Sequence, residues 1–217
     1  MTAQRRREQE KRARWGQIVD GARKVFFEKG YHHATIEDIE KACGLTRGSI
    51  YYHFDGKDEL YIAVLLQGAR LLREELRWVS HDGAQEPEQL LIRLLDAYCE
   101  FYRDQKEYHR ILQYYTFGWD GKENLAENMV DEINRLIFEC LHEVVSALER
   151  GMRQGSFSVE DPFLDSILMW CMVDSALGKT MDNPRTEFLG VDWEAMKAGL
   201  LRNVMRSLRP GMSHKEC

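Results

Sequence analysis

The sequence has no run of consecutive apolar residues close to the ~20 needed to cross a bilayer. Its first residues, MTAQRRREQEKRAR, are highly charged and include no apolar segment, which argues against a secretory signal. No alternating strand pattern, internal repeat or low-complexity tract stands out either. We therefore expect a soluble, cytoplasmic, helical protein that has no membrane partner.

Cysteines are few: the chain of 217 residues has five, an odd and scattered set unlike a disulfide framework. Most of them stand in apolar helical patterns. We expect Cys43, Cys99, Cys140 and Cys171 to be small core residues in a reducing compartment, and Cys217 to be an exposed terminal thiol.

The usual motifs of catalysis are missing as well. There is no P-loop, no G-x-S-x-G, no H-E-x-x-H and no glycine-rich dinucleotide loop. We therefore expect neither an enzyme nor a cofactor.

Threonines and glycines divide residues 35–57, TIEDIEKACGLTRGSIYYHFDGK, into two short helices. Thr35 is a good N-cap for the first helix, and Gly44 supplies the left-handed residue that commonly ends one. Thr46 can cap a second helix over 47–53. Two helices joined by a tight, glycine-containing turn form the unit whose second helix enters a DNA major groove.

Both helices have an inward apolar face: Ile36, Ile39 and Ala42 share one side of the first, and Ile50 and Phe54 are four apart in the second. The outward face of the second helix decides its role. A plain amphipathic hairpin would leave two adjacent tyrosines exposed without purpose, whereas arginine suits guanine, and serine, tyrosine and histidine suit phosphates or base edges. The outward residues are Arg47, Gly48, Ser49, Tyr51, Tyr52 and His53.

At these positions the chain resembles the TetR family of transcriptional regulators. The family's signature has a first helix ending before Gly-[Tyr/Phe], then a helix-turn-helix followed by a lysine and a leucine. Cys43 departs from the usual alanine, which we interpret as a packing change. The matching residues are Gly30, Tyr31, Thr35, Ile39, Gly44, Leu45, Thr46, Gly48, Ile50, Tyr51, His53, Phe54, Lys57 and Leu60.

The resemblance implies an all-α fold with a three-helix DNA-binding domain at 1–56 and a helical effector-binding and dimerisation domain at 57–217. It also implies a regulator, usually a repressor, that binds double-stranded operator DNA. The implied DNA contacts are Thr35, Thr46, Arg47, Gly48, Ser49, Tyr51, Tyr52, His53 and Lys57.

The charge distribution is uneven along the chain. Residues 1–60 hold 12 Lys and Arg against 10 Asp and Glu, a net charge of +2, and the remainder carries −8. Residues 5–14 alone carry +4. Such an arm can contact phosphates or a minor groove, or it can be a disordered solvated tail; the sequence leaves both readings open.

Apolar residues at three-and-four spacing predict helices through the rest of the chain. One helix precedes the motif at about 12–29, and a long helix follows it from 57. The further helices are predicted near 90–102, 108–117, 125–152, 161–181 and 193–208, with loops near 81–87, 118–121 and 183–192.

The segment 161–181 is apolar on more than one face, so it must be buried in its own domain or against another chain. In the TetR family the last two long helices make a homodimeric four-helix interface. The resemblance therefore implies a homodimer through about 161–181 and 193–208.

Residues 57–217 also have many aromatic side chains, which either fill a core or line a pocket for a small, largely apolar or aromatic effector. Spacing does not separate the two roles, and the preference for a pocket rests on the family. The candidate pocket residues are Tyr98, Phe101, Tyr102, His109, Gln113, Phe117, Asn134, Phe138, Trp170 and Asp174.

Two alternatives remain at this stage. Cys99, His109, Cys140 and His142 could meet in a metal- or redox-responsive regulator, although none has close C-x-x-C or H-x-x-x-H spacing, and we expect no metal site. A non-enzymatic helical scaffold is the other alternative; specific duplex binding, which weakens linearly with log salt, distinguishes it from a DNA reader.

Overall fold

The structure is a computed structural model that describes residues 3–83, 86–117, 127–180 and 190–209. Within these ranges the chain is helical without a strand, which confirms the all-α prediction, and no helix there is long and apolar enough to span a membrane. The helices are α1 (Ala3–His33), α2 (Ile36–Cys43), α3 (Arg47–Tyr51), α4 (Lys57–His81), α5 (Pro87–Asp104), α6 (Lys106–Phe117), α7 (Glu127–Gln154), α8 (Pro162–Thr180) and α9 (Trp193–Ser207).

These helices divide between two compact units. Unit 1 comprises Met1–Ala69 and Glu107–Asn134, and unit 2 comprises Arg70–Lys106 and Arg135–Cys217. The functional boundary at residue 56 stays a prediction, since compactness groups residues by packing and not by role.

Helix α1 begins at Ala3, about nine residues before the predicted start. Its first turns are rich in Ala, Gln, Arg, Glu and Lys, which all favour a helix without needing an apolar face. The Arg6 Nε and Glu10 Oε1 atoms add an i,i+4 ion pair at 3.1 Å. The reading of this arm as a disordered tail was therefore wrong, because helix propensity replaces the missing hydrophobic periodicity.

Helix α2 is bounded as the sequence predicts. The Thr35 hydroxyl accepts from the Asp38 backbone N–H at 3.2 Å, and the Asp38 carboxylate accepts from the Thr35 N–H in return, forming a capping box. Gly44 has φ 68°, the left-handed conformation expected at the end of the helix. The predicted inward position of Ala42 was wrong: Ala42 is exposed, and Cys43 is buried in its place.

Cys43 packs directly against α1. A Cβ placed on Gly21 would lie 2.7 Å from the Cys43 Cβ and 2.9 Å from its backbone N, so only glycine allows this approach. The Gln17 amide donates to the Cys43 carbonyl oxygen at 2.8 Å, which satisfies an acceptor at the C-terminus of α2. Helices α1 and α2 are thereby fixed to each other.

Helix α6 belongs to unit 1 over most of its length. The Tyr61 hydroxyl of α4 donates to the Ile111 carbonyl oxygen at 3.2 Å, and the Tyr61 ring lies 5.0 Å from Tyr31 and 5.9 Å from Tyr114. Tyr114, which the sequence suggested as part of the effector domain, therefore packs with the end of α1. Burial raises the pKa of Tyr61, so its hydroxyl stays protonated.

In unit 2, Lys197 of α9 ties that helix to α5. Its ammonium group lies 2.5 Å from Glu100 Oε1 and 3.0 Å from Asp96 Oδ1, and the hydrogen bond to Glu100 contributes most to a raised pKa. Helix α8 packs against both α5 and α9. Its buried side faces into unit 2 through Ser166, Met169, Val173 and Leu177.

The prediction of four core cysteines was right for two. Cys43 and Cys99 are buried, whereas Cys140 is half-buried and Cys171 is exposed on α8. The apolar run around Cys171 gave no information about which side of α8 faces the core. Cys217, residues 118–121 and the greater part of the 183–192 loop lie outside the described residues.

Candidate nucleic-acid interface and effector cluster

Helix α3 and the residues just after it present a polar, aromatic surface, because the apolar side chains of Ile50 and Phe54 point into the core. Ile50 is fully buried and Phe54 is 3% exposed, while Tyr51 and Tyr52 are 49% and 75% exposed. The Thr46 hydroxyl accepts from the Ser49 backbone N–H at the start of the helix. The helix is shorter than predicted, ending at Tyr51, although Tyr52 keeps helical angles.

Arg47 stands at the first position of α3, where its exposed guanidinium can reach outward. Its Nε lies 3.3 Å from Glu40 Oε2 of α2, and the Arg47 side chain remains 59% exposed. An arginine oriented by a neighbouring carboxylate can still offer its terminal donors to the O6 and N7 of guanine.

Lys57, at the start of α4, is held against the end of α1. Its ammonium donates to the carbonyl oxygens of Tyr31 at 2.9 Å and Ala34 at 3.2 Å, and lies 4.3 Å from the Tyr31 ring centroid. Since an ammonium has three donors, one remains for a phosphate oxygen. Asp58 accepts a short hydrogen bond from the Tyr31 hydroxyl beside it.

Thr35 and His53 complete the predicted set with restricted roles. The Thr35 hydroxyl already donates to Asp38 Oδ2 at 2.8 Å, so a phosphate contact would replace this bond. His53 is half-buried, and burial followed by the positive charges of Lys11 and Arg14 lowers its pKa. His53 is therefore neutral at neutral pH, with one N–H to donate.

In unit 2 the Tyr98 hydroxyl joins Trp170 and the buried Asp174 in one polar cluster. The Tyr98 hydroxyl donates to Asp174 Oδ1 at 2.5 Å, and the Trp170 indole N–H donates to the Tyr98 oxygen at 2.9 Å. Burial, and then the charge of Asp174, raise the pKa of Tyr98. The structure thus brings three of the predicted effector residues together.

The other predicted effector residues are dispersed. Phe101 and Tyr102 are buried in unit 2, whereas Phe138 is 53% exposed and stacks on His142 with ring centroids 5.8 Å apart. His109 is buried and Gln113 is half-buried in α6 of unit 1, and Asn134 is exposed on α7. The side chain of Phe117 falls outside what the structure describes.

In the described part of the chain, no three His, Cys, Asp or Glu side chains are grouped to hold a metal ion. Burial also raises the pKa of both Cys99 and Cys140 to about 12, which keeps each as an unreactive thiol. These thiols therefore do not favour a redox-responsive regulator.

Comparison with known proteins decides the family. The family model described as "Bacterial regulatory proteins, tetR family" matches residues 18–64, which extend from α1 into α4. The HTH-type transcriptional repressor Rv1474c of Mycobacterium tuberculosis is 39% identical over 163 residues, covering 69% of this chain and 86% of that protein. The chain belongs to the TetR family.

Other TetR-like proteins match over nearly the whole length. The probable acrEF/envCD operon repressor of Escherichia coli is 27% identical over 198 residues, covering 89% of this chain and 86% of that protein. The crystal structure of the transcriptional regulator FadR from Bacillus subtilis in complex with stearoyl-CoA has a TM-score of 0.69 at 17% identity, covering 90% of this chain and all of that one. The first is a relative by sequence, and the second shows a shared fold.

As a TetR-family member the chain is a DNA-binding transcriptional regulator. Two features of the TetR-type interface were missed from the sequence. Glu40 was not predicted as a partner of Arg47, although the two stand seven residues apart on either side of the turn between α2 and α3. For the first turns of α1 only the net charge was used, although the spacing of Arg7, Lys11 and Arg14 by four and three residues also predicts that these cations share one side of the helix.

Proposed function

We propose that this TetR-family regulator is a repressor that binds operator DNA as a homodimer and leaves it when a small, largely apolar or aromatic effector binds unit 2. One observation carries the DNA-binding role: the segment 47–54, which contains α3, buries Ile50 and Phe54 and exposes Arg47, Tyr51 and Tyr52. Packing within the domain does not account for the exposure of two adjacent tyrosines.

The proposed contacts fall into two classes. Arg47 reads a guanine edge, because its position at the start of α3 suits a bidentate contact in the major groove. Thr35, Thr46, Ser49, Tyr51, Tyr52, His53 and Lys57 contact phosphates or base edges, and Gly48 lets the backbone approach the DNA closely. Phosphate contacts fix the register, whereas Arg47 supplies discrimination.

The effector site is proposed around Tyr98, Trp170 and Asp174. A ligand pocket is mostly apolar with a few polar groups that fix orientation, and this hydrogen-bonded cluster could supply those polar groups in a unit that also buries Phe101 and Tyr102. The stearoyl-CoA in the Bacillus subtilis structure supports a small-molecule effector with a large apolar part. A coupling of ~1–3 kcal/mol between effector and DNA would suffice to release the operator.

The proposed homodimer uses α8 and α9, the segments near 161–181 and 193–208. Leu164, Leu168 and Met172 are 52%, 56% and 37% exposed and stand four residues apart, forming one apolar face on α8. A second copy of the same face would cover them in a two-fold symmetric contact. Two α3 helices held in this way can read two half-sites.

Selection of duplexes from a random pool by the purified protein tests the proposal. We expect an enriched pair of inverted half-sites, and an affinity for the enriched duplex that falls linearly in log salt. Mass spectrometry of the purified protein would then identify a retained effector, whose addition should weaken the complex. Enrichment of no sequence, with equal affinity for every duplex, would contradict the repressor and favour a scaffold.

A further inference from the structure

An open groove of about 690 Å³ lies between the first turns of α1 and α3. Arg7, Lys11 and Arg14 line it from the side of α1. Its α3 side is formed by Thr46, Gly48, Ser49, Tyr52 and His53, which are proposed DNA contacts. The amino-terminal turns of α1 are therefore placed beside the surface that reads DNA.

The three cations stand on one side of α1 because they are spaced by four and three residues. Two contacts place this side against the C-terminal end of α3. The Lys11 ammonium lies 5.9 Å from the Tyr52 ring centroid, and Lys11 lines a smaller pocket together with Trp15 and His53. These three cations, the basic stripe of α1, therefore have a defined position relative to α3.

The groove has a net positive charge despite two carboxylates in its lining. Glu8 and Glu10 also line it, but Glu10 is engaged by Arg6, a cation from outside the groove, at 3.1 Å. Arg7, Lys11 and Arg14 are all exposed. These charges fit a partner that carries regularly spaced negative groups.

Size decides which part of a duplex fits. An α-helix with its side chains is ~10–12 Å wide, whereas the minor groove of B-DNA is ~6 Å wide, so α1 cannot enter a minor groove as an arm would. Arg14 stands seven residues after Arg7, which corresponds to roughly 10 Å along α1 at ~1.5 Å per residue. That length matches the axial rise of about three nucleotides of one strand at ~3.4 Å each.

We propose that this groove binds the sugar-phosphate backbone of the operator strand next to the bases that α3 reads, with Arg7, Lys11 and Arg14 as phosphate contacts. The inference rests on the proposed DNA-binding function and extends the footprint beyond the helix-turn-helix. The contacts add affinity without base preference, since phosphates carry no sequence information directly.

The test compares two double variants of the full chain on the selected operator. Arg7→Ala/Arg14→Ala removes two charges from the groove, and Arg5→Ala/Lys24→Ala removes two exposed charges of α1 that do not line it. Alanine favours the helix, so both variants should fold, which circular dichroism checks. For the groove variant we expect weaker binding to all duplexes alike, and a slope of log affinity against log salt that is reduced by ~1.8, about 0.9 per lost phosphate contact.

Phosphate-ethylation interference adds a positional readout. Ethyl groups on about three phosphates beside the half-site should impair the wild type and the Arg5→Ala/Lys24→Ala variant. The Arg7→Ala/Arg14→Ala variant should lose sensitivity at the two phosphates that Arg7 and Arg14 contact and keep it at the phosphate of Lys11. An equal loss of affinity in both double variants would mean that the charges act only by long-range attraction, and would overturn the proposal. Tighter binding by the groove variant would also overturn it, because α1 would then shield α3.

Failure of the proposed function looks different from these outcomes. A wild type that selects no sequence would remove the operator on which the proposed function depends. A wild type that selects an operator, with no interference beside the half-site, would remove only the groove contact.

Discussion

Glu40 of α2 holds Arg47 of α3 by an ion pair, with 3.3 Å between Oε2 and Nε. The carboxylate both orients the arginine and places a negative charge beside the proposed DNA contacts. Glu40→Gln should therefore strengthen binding to random duplexes and reduce the ratio of the affinity for the best operator to the affinity for random duplexes. Equilibrium titrations on both duplexes measure the two effects. Glu37→Gln, which breaks the exposed ion pair with Lys41 on the same helix, is the control and should leave this affinity ratio unchanged.

Gly21→Ala should destabilise unit 1, because the new methyl group would lie 2.7 Å from the Cys43 Cβ and 2.9 Å from its backbone N. Overpacking of this kind costs ~1–3 kcal/mol, measurable by urea unfolding. Gly16→Ala on the same helix is the matched control: nothing lies within 4 Å of its Cβ, so a gain of about 0.4–1 kcal/mol is expected. Equal stability of the two variants would contradict the close approach of α1 and α2.

Tyr98→Phe should lower the free energy of unfolding by ~1–3 kcal/mol, because it removes a donor to the buried Asp174 and the acceptor of the Trp170 indole. It should also weaken the response to an effector, since the polar cluster would be reorganised. Thermal unfolding and effector titration measure the two effects. Tyr51→Phe, at a half-exposed position, should leave both nearly unchanged; a Tyr98→Phe protein as stable as this control would argue against the cluster.

Leu168→Glu should give monomers in multi-angle light scattering. Leu168 is 56% exposed within one protomer, so the charge disturbs a partner surface and not the protomer's own core. A charge at Trp170 would be less informative, since that indole donates to Tyr98 within the chain. Ile92→Glu, on α5, is the control for an added exposed charge and should keep the wild-type mass. A dimeric Leu168→Glu protein would exclude this face of α8 from the interface.

His53 should make stability depend on pH below neutrality. Burial and the charges of Lys11 and Arg14 lower its pKa in the folded state, so the unfolded chain binds more protons once the pH falls through about 6.5. Stability contributed by neutral His53 is therefore complete above that pH and is lost as the pH drops toward the folded pKa. Urea unfolding at pH 7.5 and 5.5 should show a smaller loss in His53→Gln than in the wild type.

Nuclear magnetic resonance titration tests the cause of that shift. Lys11→Ala should raise the His53 pKa toward its ordinary value, whereas Arg5→Ala should leave it in place. An unchanged His53 pKa in the Lys11→Ala variant would mean that the Lys11 charge does not contribute to the shift.

Local patterns gave the helix-turn-helix almost completely. Thr35, Gly44 and Thr46 act through their own backbone neighbours, so their roles could be predicted from a few residues of sequence. Ala42 was predicted wrongly because Ala42 and Cys43 stand three and four residues after Ile39, and both spacings suit one face of a short helix; only the approach of Gly21 decides which is covered. The same limit applies to α8, where an apolar run does not tell which side faces the core.

The sequence alone determined the family, the all-helical fold and the outward position of Tyr51 and Tyr52, because caps, turns and helical periodicity are set by residues close together in the chain. Tertiary structure alone decided the pairing of Arg47 with Glu40, the Tyr98–Asp174 bond across 76 residues and the placement of the basic stripe of α1 beside α3. These relationships depend on which helix faces pack together, and that choice is made by the combined fit of side chains distant in sequence.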